Sequence, residues 1–142
     1  MHKSIYASGF LYNLKTQQIL LLQNPNQDQS LVLSMLGGNS NEGEEAVETF
    51  RRIFNKSLNI KLSSSDIQPI YDYTDEDSGK TTYVFYAEVK DKPVLKSIKD
   101  NRISWISFAN LSKLAFSANT KQDVIVGERV INLKYRIDMK LQ

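Results

Sequence analysis

The sequence predicts an α+β fold, a helix-sheet-helix sandwich with a mixed sheet, in one domain spanning residues 1–142. Three observations carry that prediction. Short runs rich in β-branched and aromatic residues recur along the chain, an apolar stripe at helical spacing stands in its middle, and a capped amphipathic segment follows near its end. A chain of 142 residues buries about two thirds of the surface its unfolded form exposes, so a core without disulfides or structural metals is feasible.

Residues 5–12 are rich in β-formers and aromatics, residues 19–22 form a short apolar run, and Asn13-Leu14-Lys15-Thr16-Gln17 lies between them. This reads as two strands joined by a turn. Asn24-Pro25-Asn26-Gln27-Asp28-Gln29 has loop chemistry, and Leu31-Val32-Leu33 restarts a buried strand that ends at Gly37-Gly38. The glycine pair allows backbone conformations and a close ligand approach that a side chain would obstruct. From Glu44 to Leu58 the apolar residues Ala46, Val47, Phe50, Ile53, Phe54 and Leu58 recur at intervals of three and four, one stripe of a helix. Glu44 and Glu45 in its first turn and Lys56 near its end complement the helix dipole.

Ser63-Ser64-Ser65-Asp66 is a loop, after which residues 67–73 and 81–89 read as a strand pair around an acidic turn at residues 74–80. Tyr71, Tyr73, Tyr83, Phe85 and Tyr86 are expected to pack the sheet rather than to form a base-stacking platform. Pro93 sits in a polar linker, residues 103–107 alternate like a half-buried strand around Trp105, and residues 108–114 suit a short helix. Thr120 with Asp123 three residues on suits the start of a last helix reaching about Leu133.

Composition excludes several chemistries. Without cysteine there is neither a disulfide framework nor a thiolate metal site, and the sole histidine, His2, stands at the N-terminus. An active site must be built from carboxylates, hydroxyls, amides, Lys, Arg and backbone. Lys plus Arg exceed Asp plus Glu only by 18 to 16, and the modest cluster of Arg129, Lys134, Arg136 and Lys140 is too weak to indicate a nucleic-acid partner. No apolar run is long enough for a membrane span and none reads as a signal peptide, so a cytoplasmic setting is the expectation.

The stretch from Leu36 to Ile60 carries the sharper information. It resembles the Nudix box of the MutT-like hydrolase superfamily: Gly, five residues, Glu, seven residues, then Arg-Glu-apolar-any-Glu-Glu-any-Gly-apolar. Gly38, Glu44 and Arg52 match at the family spacing, Phe54 and Ile60 occupy its apolar positions, and Gly37 and Gly43 match glycines usual there. The resemblance extends to the strand order before the box, the tryptophan strand followed by Asn110-Leu111, and the terminal helix. It implies that Gly37, Gly38, Gly43 and Arg52 shape the loop and helix, with Arg52 pairing with Glu44 or Glu42, and that Glu44 is the candidate catalytic carboxylate.

The departures bear on function. Ile53, Lys56 and Ser57 replace the helix glutamates that hold Mg²⁺ or Mn²⁺ in the family, and Asn59 stands where the family has glycine. Hard divalent ions need converging anionic oxygens to activate water. Ile53 offers none, Ser57 only a neutral oxygen, and Lys56 a repelling charge that could itself hold a phosphate. Three readings follow: a Nudix-like protein that binds a nucleotide or nucleoside-diphosphate derivative with little metal-dependent hydrolysis; an atypical hydrolase of nucleoside diphosphates linked to another moiety, using Mg or Mn on Glu44 and carboxylates outside the box, Glu88 or the acidic turn among them; and a regulatory interaction domain with a vestigial pocket.

Overall fold

A computed structural model describes residues 5–25, 31–90, 102–113, 116 and 120–140. His2, the loop at residues 26–29, the linker around Pro93 and Leu114 lie outside the described residues. The strands are β1 (Ile5–Asn13), β2 (Gln18–Pro25), β3 (Leu31–Ser34), β4 (Leu36–Asn39), β5 (Ile67–Thr74), β6 (Thr81–Val89) and β7 (Arg102–Ser107). Two α-helices, α1 (Ala46–Leu58) and α2 (Thr120–Lys140), and 3-10 turns at Ser64–Asp66 and Phe108–Lys113 complete the elements.

Alternation along β1 sorts the layers, because successive side chains leave a strand on opposite faces. Ala7 and Leu11 join Phe50, Phe54 and Leu58 of α1 in one buried cluster. Phe10 and Tyr12 join Val124 and Ile131 of α2 in the other. The sheet is thus enclosed between the two helices, the sandwich that the sequence predicts. It is mixed: the main path runs β3-β2-β1-β6-β5, with β1 and β6 parallel from Ile5↔Thr81 to Asn13↔Val89 and the other pairs antiparallel.

Close contact between β1 and β6 depends on Gly9, whose φ is +156°. A Cβ there would stand 1.8 Å from the Phe85 carbonyl oxygen. No side chain fits without moving a strand.

The structure departs from the sequence reading around residue 35. One strand was expected up to the glycine pair, but Met35 separates β3, which pairs with β2, from β4, which pairs with β1. Strand β2 pairs with β1 only at Tyr12↔Ile19 and Asn13↔Gln18. Beyond that point the two strands diverge, and β4 and β3 take the places beside them. Helix α1 starts at Ala46 rather than Glu44, residues 108–113 wind as a 3-10 turn, and α2 continues past Leu133 to Lys140.

Candidate functional site

The loop between β4 and α1 is held by one carboxylate. Glu44 Oε1 accepts from the Asn41 amide at 3.0 Å and the Thr49 hydroxyl at 2.8 Å. Arg52 closes a bidentate pair on the same group, Nε to Oε2 at 2.8 Å and Nη2 to Oε1 at 3.0 Å, and its Nη2 also donates to the Asn39 carbonyl at 3.0 Å. One guanidinium therefore joins strand end, loop and helix. Its hydrogen bonds, helped by those of Asn41 and Thr49, outweigh the opposing effect of burial and hold the Glu44 carboxyl down to about 2. Gly43 turns the loop at φ +78° with open space around it.

The two glycines of β4 are filled in by protein. A Cβ at Gly37 would meet Ser8 Cβ at 2.6 Å, and one at Gly38 would meet Ile53 Cδ1 at 2.6 Å. The room that the sequence suggested for a ligand over Gly38 is taken by Ile53, which also packs against the core on the α1 side. Lys56 is exposed and Ser57 half-buried. Asn59 ends α1 at φ +56° and ψ +49°. The left-handed region tolerates Asn best after Gly, so Asn59 supplies the helix stop at the position where the Nudix-box pattern has glycine.

The divalent ion that the box resemblance implies needs a cluster of anionic oxygens, and the described residues do not fit it. Among the described residues no three His, Cys, Asp or Glu side chains converge into a metal-binding group. Three of the other candidate carboxylates, Glu48, Asp75 and Glu88, have partners of their own. Glu48 pairs with Arg51 at 3.2 Å and accepts from the Ser64 hydroxyl. Asp75 ties the β5–β6 turn through the Ser78 hydroxyl and the Asp77 amide. Glu88 faces α2, where Lys134 stands 3.3 Å away.

A cavity of about 370 Å³ opens on the α2 side of the sheet. It is lined by Tyr6 and Ser8 of β1, Ser34 and Met35 at the β3–β4 fork, Tyr73, Lys80 and Thr82 of the β5–β6 hairpin, and Thr120 and Asp123 of α2. Lys80 Nζ lies 5.3 Å from the centre of the Tyr6 ring, a cation–π contact. Asp123 is 2% exposed, and its Oδ1 accepts the Tyr71 hydroxyl at 2.5 Å. Burial raises its carboxyl, while the Tyr71 bond opposes that rise. A smaller hollow beside it is lined by Tyr71, Tyr73, Gln122 and Asp123.

Sequence reasoning missed this constellation. It treated Tyr71 and Tyr73 as packing, Lys80 as part of a turn and Asp123 as a helix cap. Only the crossing of β1, the hairpin and α2 brings them together; the sequence itself shows only an acid in the first turn of the last helix. Lys56, the lysine singled out from the sequence, is not among the residues lining this cavity.

No family model and no curated protein matches the sequence. Solved structures do match. A MutT/Nudix family protein from Enterococcus faecalis superposes with a TM-score of 0.68 at 18% identity, covering 93% of this chain, which spans 63% of that protein's length. A MutT structure from work on Aliivibrio salmonicida and Vibrio cholerae gives 0.70 at 15% identity, covering 88% of this chain and 97% of the other. The Nudix domain of Shewanella oneidensis NrtR, complexed with ADP ribose, gives 0.65 at 16% identity over 92% of this chain and 90% of that domain. Likeness at such low identity speaks to architecture, and the architecture of this chain is the Nudix fold.

Proposed function

We propose that this chain is a Nudix-fold protein that binds a nucleotide or nucleoside-diphosphate derivative in the cavity between β1, the β5–β6 hairpin and α2, with little or no metal-dependent hydrolysis. One observation carries the loss of hydrolysis: the α1 flank bears Ile53 packed over Gly38, exposed Lys56 and Ser57 where the resemblance calls for metal-binding glutamates. The Glu44 oxygens are already committed to Arg52, Thr49 and Asn41. In this reading Gly37, Gly38, Gly43, Glu44 and Arg52 preserve the loop-helix shape and no step runs through a metal.

Binding is supported by the cavity's size, at the lower end of the roughly 300–1,000 Å³ usual for small-ligand sites, and by its mix of aromatic walls and convergent polar groups. The ADP ribose held by the Shewanella domain of the same fold favours a nucleotide derivative as ligand. A thermal-shift screen of nucleotides and dinucleotides, each in EDTA and in Mg²⁺, tests the reading. Stabilisation by at least one compound in EDTA is expected; stabilisation only with Mg²⁺, accompanied by phosphate-bond cleavage, would return the chain to the hydrolases. Lys56, kept as a candidate phosphate contact, loses that role if Lys56→Ala binds equally well.

A further inference from the structure

A hollow of about 230 Å³ opens on another flank of α2, between that helix and the segment that follows β7. It shares no lining residue with the cavity that faces the sheet. Phe108, Leu111 and Phe116 form one wall, each half-buried against the α2-side core. Val124 and Ile125 belong to the other. Val124 is buried, but Ile125 beside it stands 44% exposed, a large apolar side chain left in water next to an apolar hollow.

Two opposite charges bracket this apolar pair. Lys121 and Glu128 also line the hollow, and seven residues set them two helical turns apart on one stripe, about 10 Å along the axis. That is too far for them to neutralise each other, and neither has an ion-pair partner among the described residues, whose pairs include Arg51–Glu48, Arg52–Glu44 and Lys134–Glu88. The stripe reads charge, apolar pair, opposite charge. Reversed, it is complementary to itself. A second α2 laid antiparallel, with a two-fold axis between Val124 and Ile125, sets Lys121 against the partner's Glu128 and Ile125 against the partner's Val124, and symmetry repeats both contacts. Arg129 leaves the helix about 100° round from Glu128, so its charge is turned off that line.

We infer that this flank of α2 is the contact surface for a second copy of the chain, the two joined as an antiparallel two-fold pair in which Ile125 of each enters the hollow of the other. The inference is independent of the binding reading above. So small a contact gives a weak, reversible dimer, with a dissociation constant on the order of tens of micromolar.

Sedimentation equilibrium of the full chain from about 5 to about 500 µM brackets that value. Lys121→Glu sets Glu against Glu at both ends of the contact, and Glu128→Lys sets Lys against Lys, so each variant alone should dimerise at least about tenfold more weakly than the wild type. An equal mixture of the two variants restores both opposite-charge pairs and should form a heterodimer at wild-type strength. Raising NaCl from about 0.05 to about 0.5 M should weaken the wild-type dimer several-fold, because its paired charges lie at the surface. A wild type that stays monomeric throughout leaves the flank to some other occupant and overturns the inference. A dimer indifferent to salt and to both single substitutions overturns it as well. Loss of the dimer in each variant without rescue in the mixture, with both variants retaining the wild-type circular dichroism spectrum, would contradict the antiparallel pairing.

Discussion

At the scale of single residues, Glu44 and Arg52 form a nearly closed charge-assisted unit, with Glu44 14% and Arg52 38% exposed. Removing one partner leaves the other's hydrogen bonds unmet, so Glu44→Gln and Arg52→Met should each lower stability by about 1–3 kcal/mol in urea melts at pH 7. The carboxyl titrates at about 2 instead of 4.5. A folded pKa below the unfolded one stabilises the protein above pH 4.5, and that contribution fades as the pH falls from 4.5 toward 2. Stability measured across that window should fall less steeply in Glu44→Gln than in the wild type. Gly9→Ala should be far worse, costing more than about 4 kcal/mol or preventing folding, because its Cβ would collide with the Phe85 backbone.

At the scale of elements, α1 is the decisive one. Its left-handed terminal residue Asn59 predicts that Asn59→Gly is tolerated and Asn59→Ala costs about 1 kcal/mol, read as a shift in the urea midpoint. Substituting Ile53→Glu, Lys56→Glu and Ser57→Glu together should create Mg²⁺-dependent phosphate release absent from the parent. Ile53→Glu alone should reduce stability, since Ile53 packs against Gly38 and the core while Lys56 is exposed. The stripe from Ala46 to Leu58 and the box spacing made this helix legible in the sequence, because both are local periodicities. The split at Met35 was not, since Leu31–Ser34 and Leu36–Asn39 read as one continuous strand until their different partners, β2 and β1, are known. The cavity was least legible: Tyr6, Lys80 and Asp123 are distant in sequence and meet only through the parallel β1–β6 pairing and the packing of α2.

For the whole molecule, the two faces of the sheet have separate tasks. The α1 side preserves a loop-helix scaffold through Gly38, Glu44 and Arg52, while the described carboxylates form no metal-binding group. The α2 side keeps a cavity with aromatic walls and two charges. Among the described residues no helix is long and apolar enough to cross a membrane. In the proposed reading the fold is retained where it serves shape, while the α1 flank carries Ile53, Lys56 and Ser57 where the Nudix-box resemblance has metal-binding glutamates. The most direct test of that separation is calorimetric titration of ADP ribose into the full chain, in EDTA and again in Mg²⁺, with the mixture then analysed for cleavage. Equal affinity in both buffers with ADP ribose recovered intact is the predicted result; binding that requires Mg²⁺ and is followed by release of AMP would contradict the account.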